Sequence, residues 1–223
     1  MSRKGLLQAV WDFIGMPFRL VLLDQRWLPR LGWTTLEEER IAAVLPHVRG
    51  RLLDIGAGGN LLVRRHGDGV GVDVFDFGGG ATIVPDTSDL PFEDASFDTV
   101  TLVACLNHIP YRQAVLREAR RLLRPSGRLV ITMIGPLLGG LGHKLWWYGE
   151  DRQRGGMAEG EVGGLWTRDI LAMCGAAGFE LQVHGRFVYR MNNLYVFTPV
   201  ARAEAAVPSR DDPAQGHAQH ATS

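Results

Sequence analysis

The spacing of hydrophobic and polar positions changes near residue 50. Before it, Leu, Val, Trp, Phe and Ile recur at three- and four-residue intervals over residues 5–31. That period predicts one or two amphipathic helices, with Pro17 as a break. Thr34 or Thr35, followed by Leu36 and three glutamates, predicts a helix start whose acids favour the positive end of the helix dipole. This helix runs through Ile41 and Val44 and stops near Pro46. After residue 50, short apolar runs predict strands at 51–55, 69–74, 81–84, 97–105, 128–134, 179–187 and 194–200. Helical patterns fall at 61–66, 111–123 and 167–177, the second stopped by Pro125 and Gly127. The alternation, closed by two consecutive strands, predicts an α/β fold. Its seven-stranded sheet is mostly parallel with an antiparallel edge hairpin. About five residues, 76–80, separate the second and third strands, too few for a crossover helix, so a glycine-rich loop is expected there.

Composition narrows the picture. At 223 residues and 46% hydrophobic, the chain suits one α/β domain with additions. Residues 1–47 read as an N-terminal helical extension, and 48–202 as the main domain with an insertion at 135–164. The stretch 203–223, without apolar period, reads as a disordered tail. Lys and Arg balance Asp and Glu at 24 each, so no basic excess is present to hold nucleic acid. Two cysteines, Cys105 and Cys174, form no disulfide framework. No cleavable leader pattern or membrane-length apolar run is seen, and the expectation is a soluble cytoplasmic protein.

Three stretches carry candidate chemistry. In Leu52-Leu53-Asp54-Ile55-Gly56-Ala57-Gly58-Gly59-Asn60 a strand delivers an acid and then a glycine turn, whose glycines lack Cβ atoms and let a ligand lie against the backbone. Asp54 can accept a hydrogen bond from a cationic amino group or order water beside it. Gly69-Val70-Gly71-Val72-Asp73 sets a carboxylate at the tip of the next strand, about 20 residues on, where a ribose diol is gripped. Asp86-Thr87-Ser88-Asp89-Leu90-Pro91-Phe92 adds an acid able to receive an adenine amino group, with Leu-Pro-Phe walling the ring.

Together these stretches resemble class I S-adenosylmethionine-dependent methyltransferases, notably the subgroup of ubiquinone- and menaquinone-biosynthesis enzymes. The matching segments are LLDIGAGGN, GVGVDV, DTSDLPFEDASFDTVTLVACLNHI and REARRLLRPSGRLVITM, in family order. The resemblance implies a Rossmann-like sheet, S-adenosyl-L-methionine as cofactor and a small-molecule methyl acceptor. By its pattern Gly56, Ala57 and Gly58 form the cofactor loop. Asp73 meets the ribose hydroxyls, Asp86 and the Thr87 backbone the adenine, and Ala104 and Cys105 the methionine part, with Asp54 and Val74 also among the cofactor-binding residues. Three departures stand out: Asn60 replaces the family's third glycine, the first helix at 61–66 is very short, and the helix after the second strand is missing. The trimmed form also resembles methyltransferases of bacterial polysaccharide and secondary-metabolite pathways.

Methyl transfer from a sulfonium is an in-line displacement in which the protein supplies proximity, orientation and a dry site. A base is needed only when the acceptor must lose a proton early. His108, after the fourth strand, is the candidate catalytic base, set against an ordinary loop histidine bonded to a carbonyl. The insertion carries His143, Trp146, Trp147 and Tyr148, whose rings can serve as an acceptor wall or lid; a helix packing its tryptophans on the core is the plainer reading. Glu159 and Glu161 are expected to be solvated, and His184 structural. No metal ligands are assigned. Aromatic residues of the N-terminal helices, mixed with Arg19, Arg26 and Arg30, suit a membrane surface or lipid-linked substrate, but burial on the domain is the expected outcome. A nicotinamide-dependent oxidoreductase would want glycine three positions after Gly58, where Leu61 stands. A cofactor-binding protein without catalysis is the other class these residues allow.

Overall fold

The buried apolar runs after residue 50 assemble into one sheet. In the computed structural model, which describes residues 5–137 and 159–200, the strands are β1 (Leu52–Ile55), β2 (Gly69–Asp73), β3 (Thr82–Ile83), β4 (Phe97–Val103), β5 (Leu123–Ile134), β6 (Phe179–Phe187) and β7 (Asn192–Pro199). Their order is β3-β2-β1-β4-β5-β7-β6. The first five pair in parallel, and β7 runs antiparallel to both β5 and β6. This is the sheet that the alternation predicts.

Among the described residues the regular helices are α1 (Leu6–Ile14), α2 (Leu36–Val44), α3 (Leu61–His66), α4 (Arg112–Leu122) and α5 (Thr167–Ala176). They cover both faces, and the period-two pleat sorts the strand side chains between two cores. Leu53, Ile55, Val100 and Leu102 pack with Val115 and Leu116 of α4 and Ile170 and Cys174 of α5. On the other face Leu52, Val130 and Val196 pack with Ile41 and Val44 of α2 and Leu62 of α3. Thr35 begins α2 through a capping box: its hydroxyl accepts from the Glu38 N–H, and Glu38 accepts from the Thr35 N–H.

One boundary differs from expectation. β5 begins at Leu123 rather than Arg128, because Leu123 pairs with Phe97 before an irregularity shifts the ladder. Pro125 and Gly127 therefore lie within the strand instead of between helix and strand.

The short link between β2 and β3 carries no helix, as its length demands, and its glycines have a specific contact. A Cβ at Gly79 would collide with the backbone of Gly59, so the link lies backbone against backbone on the turn after β1. Asn60, with φ +55°, takes the left-handed conformation a glycine would otherwise supply, and its side chain donates to the Gly80 carbonyl (3.1 Å). Arg64 donates to Gly59 and Gly79 carbonyls at 2.6 and 2.8 Å. Asn60 in place of a glycine and the loop in place of a helix thus fit each other. Asn60 and Arg64 hold down the loop that replaces a helix.

The N-terminal extension overturns the expectation of burial. α1 turns Gln8, Asp12 and Gly15 inward and its apolar side outward, with Leu6 81% and Leu7 87% exposed. Phe13, Ile14, Phe18 and Trp27 are exposed as well. A buried polar knot anchors the segment. Arg19 donates to the Asp12 carbonyl, the Thr34 carbonyl, the Tyr189 hydroxyl and Glu39, the last at 2.8 Å. Asp12 in turn accepts from the Thr34 N–H and hydroxyl. Satisfying these groups fixes the inward face of α1, and the apolar residues are left outside. Among the described residues no helix is long and apolar enough to cross a membrane.

Removing one member of a buried charged cluster strands its partners. Arg19→Met should therefore lower stability by about 3 kcal/mol in a urea titration and hasten proteolysis within residues 5–33. An unchanged midpoint would show that the knot contributes little.

Candidate active site

The parallel strands end in loops that meet at one edge of the sheet, and a cavity of about 380 Å³ opens there. Asp54, Gly56, Ala57 and Gly58 line it from the turn after β1, and Asp73 and Val74 from the end of β2. Asp86 and Thr87 come from the loop after β3, and Ala104, Cys105 and His108 from the loop after β4. The loop glycines, the three acids Asp54, Asp73 and Asp86, and the residues after β4 that the sequence singled out therefore surround one space. His143, Trp147 and Tyr148 lie outside the described residues.

Each turn is held by a definite contact. The Gly58 N–H donates to Asp73 Oδ2 (2.8 Å) and the Phe75 N–H to Oδ1 (3.1 Å), so one carboxylate clamps the ends of β1 and β2. Gly56, with φ +71°, approaches β4 so closely that a Cβ would stand 2.6 Å from Cys105 Cβ. A side chain at Gly56 would thus strike the protein before any ligand, and the glycine serves the turn. Gly58 is different: with φ +50°, its Cβ would meet no protein atom within 4 Å. Ala104 also adopts a left-handed φ, +55°, while its N–H donates to the Thr132 carbonyl (3.1 Å). Asp86 accepts from the Ser88 N–H and hydroxyl, which fixes its carboxylate at the head of its loop.

Two expected features fall elsewhere. Leu90 is buried in the core and Phe92 packs edge-on against Phe97 (5.2 Å), so the Leu-Pro-Phe corner does not wall the cavity. Pro85 lines it instead. Glu161, expected in solvent, has a side chain only 4% exposed and meets His108 Nδ1 at 3.0 Å. His184 stacks on Tyr195 at the sheet's edge and bonds to Asn193. Sequence reasoning did not select Glu37 and Arg40 of α2, which also line the cavity. Their spacing is that of any helix face, and only the docking of α2 brings them there.

The cavity is rich in carboxylates: Glu37, Asp54, Asp73 and Asp86. Burial away from water pushes the Asp54 carboxyl up to about 7, with nearby Asp73 adding to the rise and the Thr101 hydroxyl, donating at 2.6 Å, opposing it. Among the described residues no group of three or more His, Cys, Asp or Glu is arranged to hold a metal ion.

Residues 53–131 match the family model described as a methyltransferase domain. Over this stretch the chain is similar to class I S-adenosylmethionine-dependent methyltransferase domains. It is 35% identical to the 27-O-demethylrifamycin SV methyltransferase of Amycolatopsis mediterranei, in an alignment covering 49% of this chain and 53% of that one. A demethylmenaquinone methyltransferase of Thermotoga maritima is 46% identical over 57 residues, 26% of this chain and 25% of the relative. The chain thus spans about half, or less, of the length of these curated relatives. The methyltransferase fold is shared with a solved Thermotoga maritima structure described as a SAM-dependent methyltransferase, possible histamine N-methyltransferase. That structure has a TM-score of 0.57 at 16% identity, over 86% of this chain and 95% of that one. The cofactor of such domains is S-adenosylmethionine. An acid-lined cavity with open space at Gly58 fits a ligand bearing a sulfonium and an ammonium group.

The raised Asp54 pKa has a stability consequence of definite sign. The folded state holds this proton more tightly than the unfolded chain, whose Asp titrates near the ordinary 3.8. The contribution is fully favourable below that value, is lost as pH rises toward about 7, and is constant beyond. Asp54→Asn should flatten the fall in stability over this window. Above it the variant should exceed the wild type by up to ~4 kcal/mol in thermal or urea melts. Parallel pH profiles for the two proteins would contradict a buried, proton-holding carboxyl.

Proposed function

We propose that this protein transfers the methyl group of S-adenosylmethionine to a small-molecule acceptor at the carboxyl edge of its sheet. The observation that carries this reading is the convergence of the Gly56–Gly58 turn, Asp73, Asp86 and the end of β4 on one carboxylate-rich cavity. Asp73 is assigned to the ribose hydroxyls; its carboxylate already accepts from Gly58 and Phe75, and each oxygen retains a second lone pair. Asp86 and the Thr87 backbone are assigned to the adenine, and Val74 to the cofactor side of the cavity. Asp54, Ala57, Ala104 and Cys105 are assigned to the methionine part, where Asp54 meets the ammonium group. When bound, S-adenosylmethionine supplies an electrophilic methyl carbon whose sulfonium leaves as the neutral thioether. The chain's contribution is to align donor and acceptor and to keep water out. Relatives named for a demethylrifamycin and a demethylmenaquinone support a small-molecule acceptor. Balanced charge over the whole chain argues against nucleic acid as a partner.

Calorimetry tests the cofactor. S-adenosylmethionine and S-adenosylhomocysteine should bind, and NAD should not. Gly58→Val, whose side chain enters the open space, should weaken binding at least about tenfold, or ~1.4 kcal/mol. Its folded state should lose only the cost of a branched residue at positive φ. Full affinity in this variant would remove the loop from the binding site. Transfer of labelled methyl into acceptor pools separates an enzyme from a silent cofactor-binding protein.

A further inference from the structure

An ordinary surface helix turns its apolar side to the core, and α1 does the reverse. At about 100° per residue, Leu6, Leu7, Val10, Trp11, Phe13 and Ile14 fall within an arc of about 160°, and all six are exposed. The inward side is polar or bare. Gln8 donates to the Gly32 carbonyl (2.9 Å), Asp12 belongs to the Arg19 knot, and a Cβ at Gly15 would stand 2.2 Å from the Trp33 ring. Trp33 stacks on Trp11 and on Phe18, with ring centres 5.8 and 5.7 Å away, which carries the apolar surface beyond the helix. Neither indole needs water. The Trp11 N–H donates to the Leu31 carbonyl (3.0 Å) and the Trp33 N–H to the Trp11 carbonyl (3.1 Å), so both rings can leave water without stranding a donor.

Shape and charge choose the occupant of this surface. Leu6 and Leu7 project almost fully, and such side chains enter a fluid apolar phase without a matching pocket. The polar groups at the border are cationic. Within residues 5–33 the acids are Asp12, which is buried, and Asp24, which Arg26 holds at 2.6 Å. The glutamates that open α2 are engaged elsewhere: Glu38 with Arg65, Glu39 with Arg19, and Glu37 at the cavity. Arg30 lies over the exposed Trp27 ring (4.4 Å), and exposed Arg190 follows Tyr189, whose ring packs on Phe13 (5.6 Å). Arg3 and Lys4 precede α1 in the sequence. We propose that the outward face of α1 docks this protein on an anionic membrane surface, the helix lying in the plane of the interface with Arg30 and Arg190 at the lipid phosphates. A free amphipathic peptide must fold as it binds. Here the Arg19 knot already holds the helix, so docking costs little ordering. The knot also ties the docking face to α2, which lines the cavity.

The test mixes the full-length protein with vesicles of phosphatidylcholine, alone or blended with phosphatidylglycerol. The protein should float with the blended vesicles and less with the neutral ones, and added salt should reduce the binding. Leu7→Glu and Ile14→Glu should each weaken it on the order of tenfold, with urea midpoints unchanged because both side chains already stand in water. Arg30→Gln combined with Arg190→Gln should narrow the difference between the two kinds of vesicle. Leu7→Cys reads the face directly. Its thiol should react readily with a water-soluble maleimide in the protein alone, and slowly once anionic vesicles are added. Slow reaction without lipid, or a dimer that Leu7→Glu dissociates, would show the face covered by the chain itself or by a second copy, and would overturn the proposal. So would a folded protein that ignores both kinds of vesicle, or binding that neither glutamate weakens. Equal binding to neutral and anionic vesicles would overturn the assignment of the arginines to lipid phosphates.

Discussion

Around the turn after β1 the backbone touches its neighbours with almost no side chain between. Gly56 lies against the Cys105 side chain at the end of β4, and Gly59 lies against Gly79 of the loop that follows β2. The N–H of Gly58 spends its hydrogen bond on Asp73. Adding a Cβ at Gly56 or Gly79 would push apart segments that belong to different strands, so the turn sets the spacing of the whole carboxyl edge. The position of every other group in the cavity follows from that spacing. Asp73 shows the economy of the arrangement, since the same carboxylate that fixes the turn is exposed to the cavity.

Much of this was legible in the linear sequence, and for local reasons. The strands of the sheet are short apolar runs, and the turn glycines stand next to the acid that precedes them. The missing helix could be read from a simple length: about five residues cannot make a crossover helix. The capping box of α2 is likewise a four-residue pattern, from Thr35 to Glu38. These features depend on neighbours in sequence, and the sequence lists neighbours.

Other features were not legible, because they depend on residues far apart. His108 and Glu161 stand 53 positions from one another, and nothing near Glu161 distinguishes it from a solvated acid. Its burial follows from Asn107 and Arg112 capturing the returning chain. α1 misled in another way. Its apolar period predicts a helix correctly but says nothing about which face turns inward. Arg19 decided that question by drawing Asp12, Thr34 and Glu39 around itself, since a buried guanidinium must be satisfied wherever it lies. The Leu90-Pro91-Phe92 corner also went to the core, where Phe92 found Phe97.

The trimmed strand order at the two ends of the sheet bears on how copies of the molecule meet. An open sheet offers its outermost strands as templates for pairing with other chains, and long flat edges invite aggregation. Here β3 presents only two residues at one end. At the other, β6 is nine residues long, but its ladder with β7 is interrupted between Leu181 and Val183, and Glu180 and Arg186 place charge along it. Neither edge is a ready template for strand addition. The exposed apolar surface lies instead on a helix, along the outward side of α1.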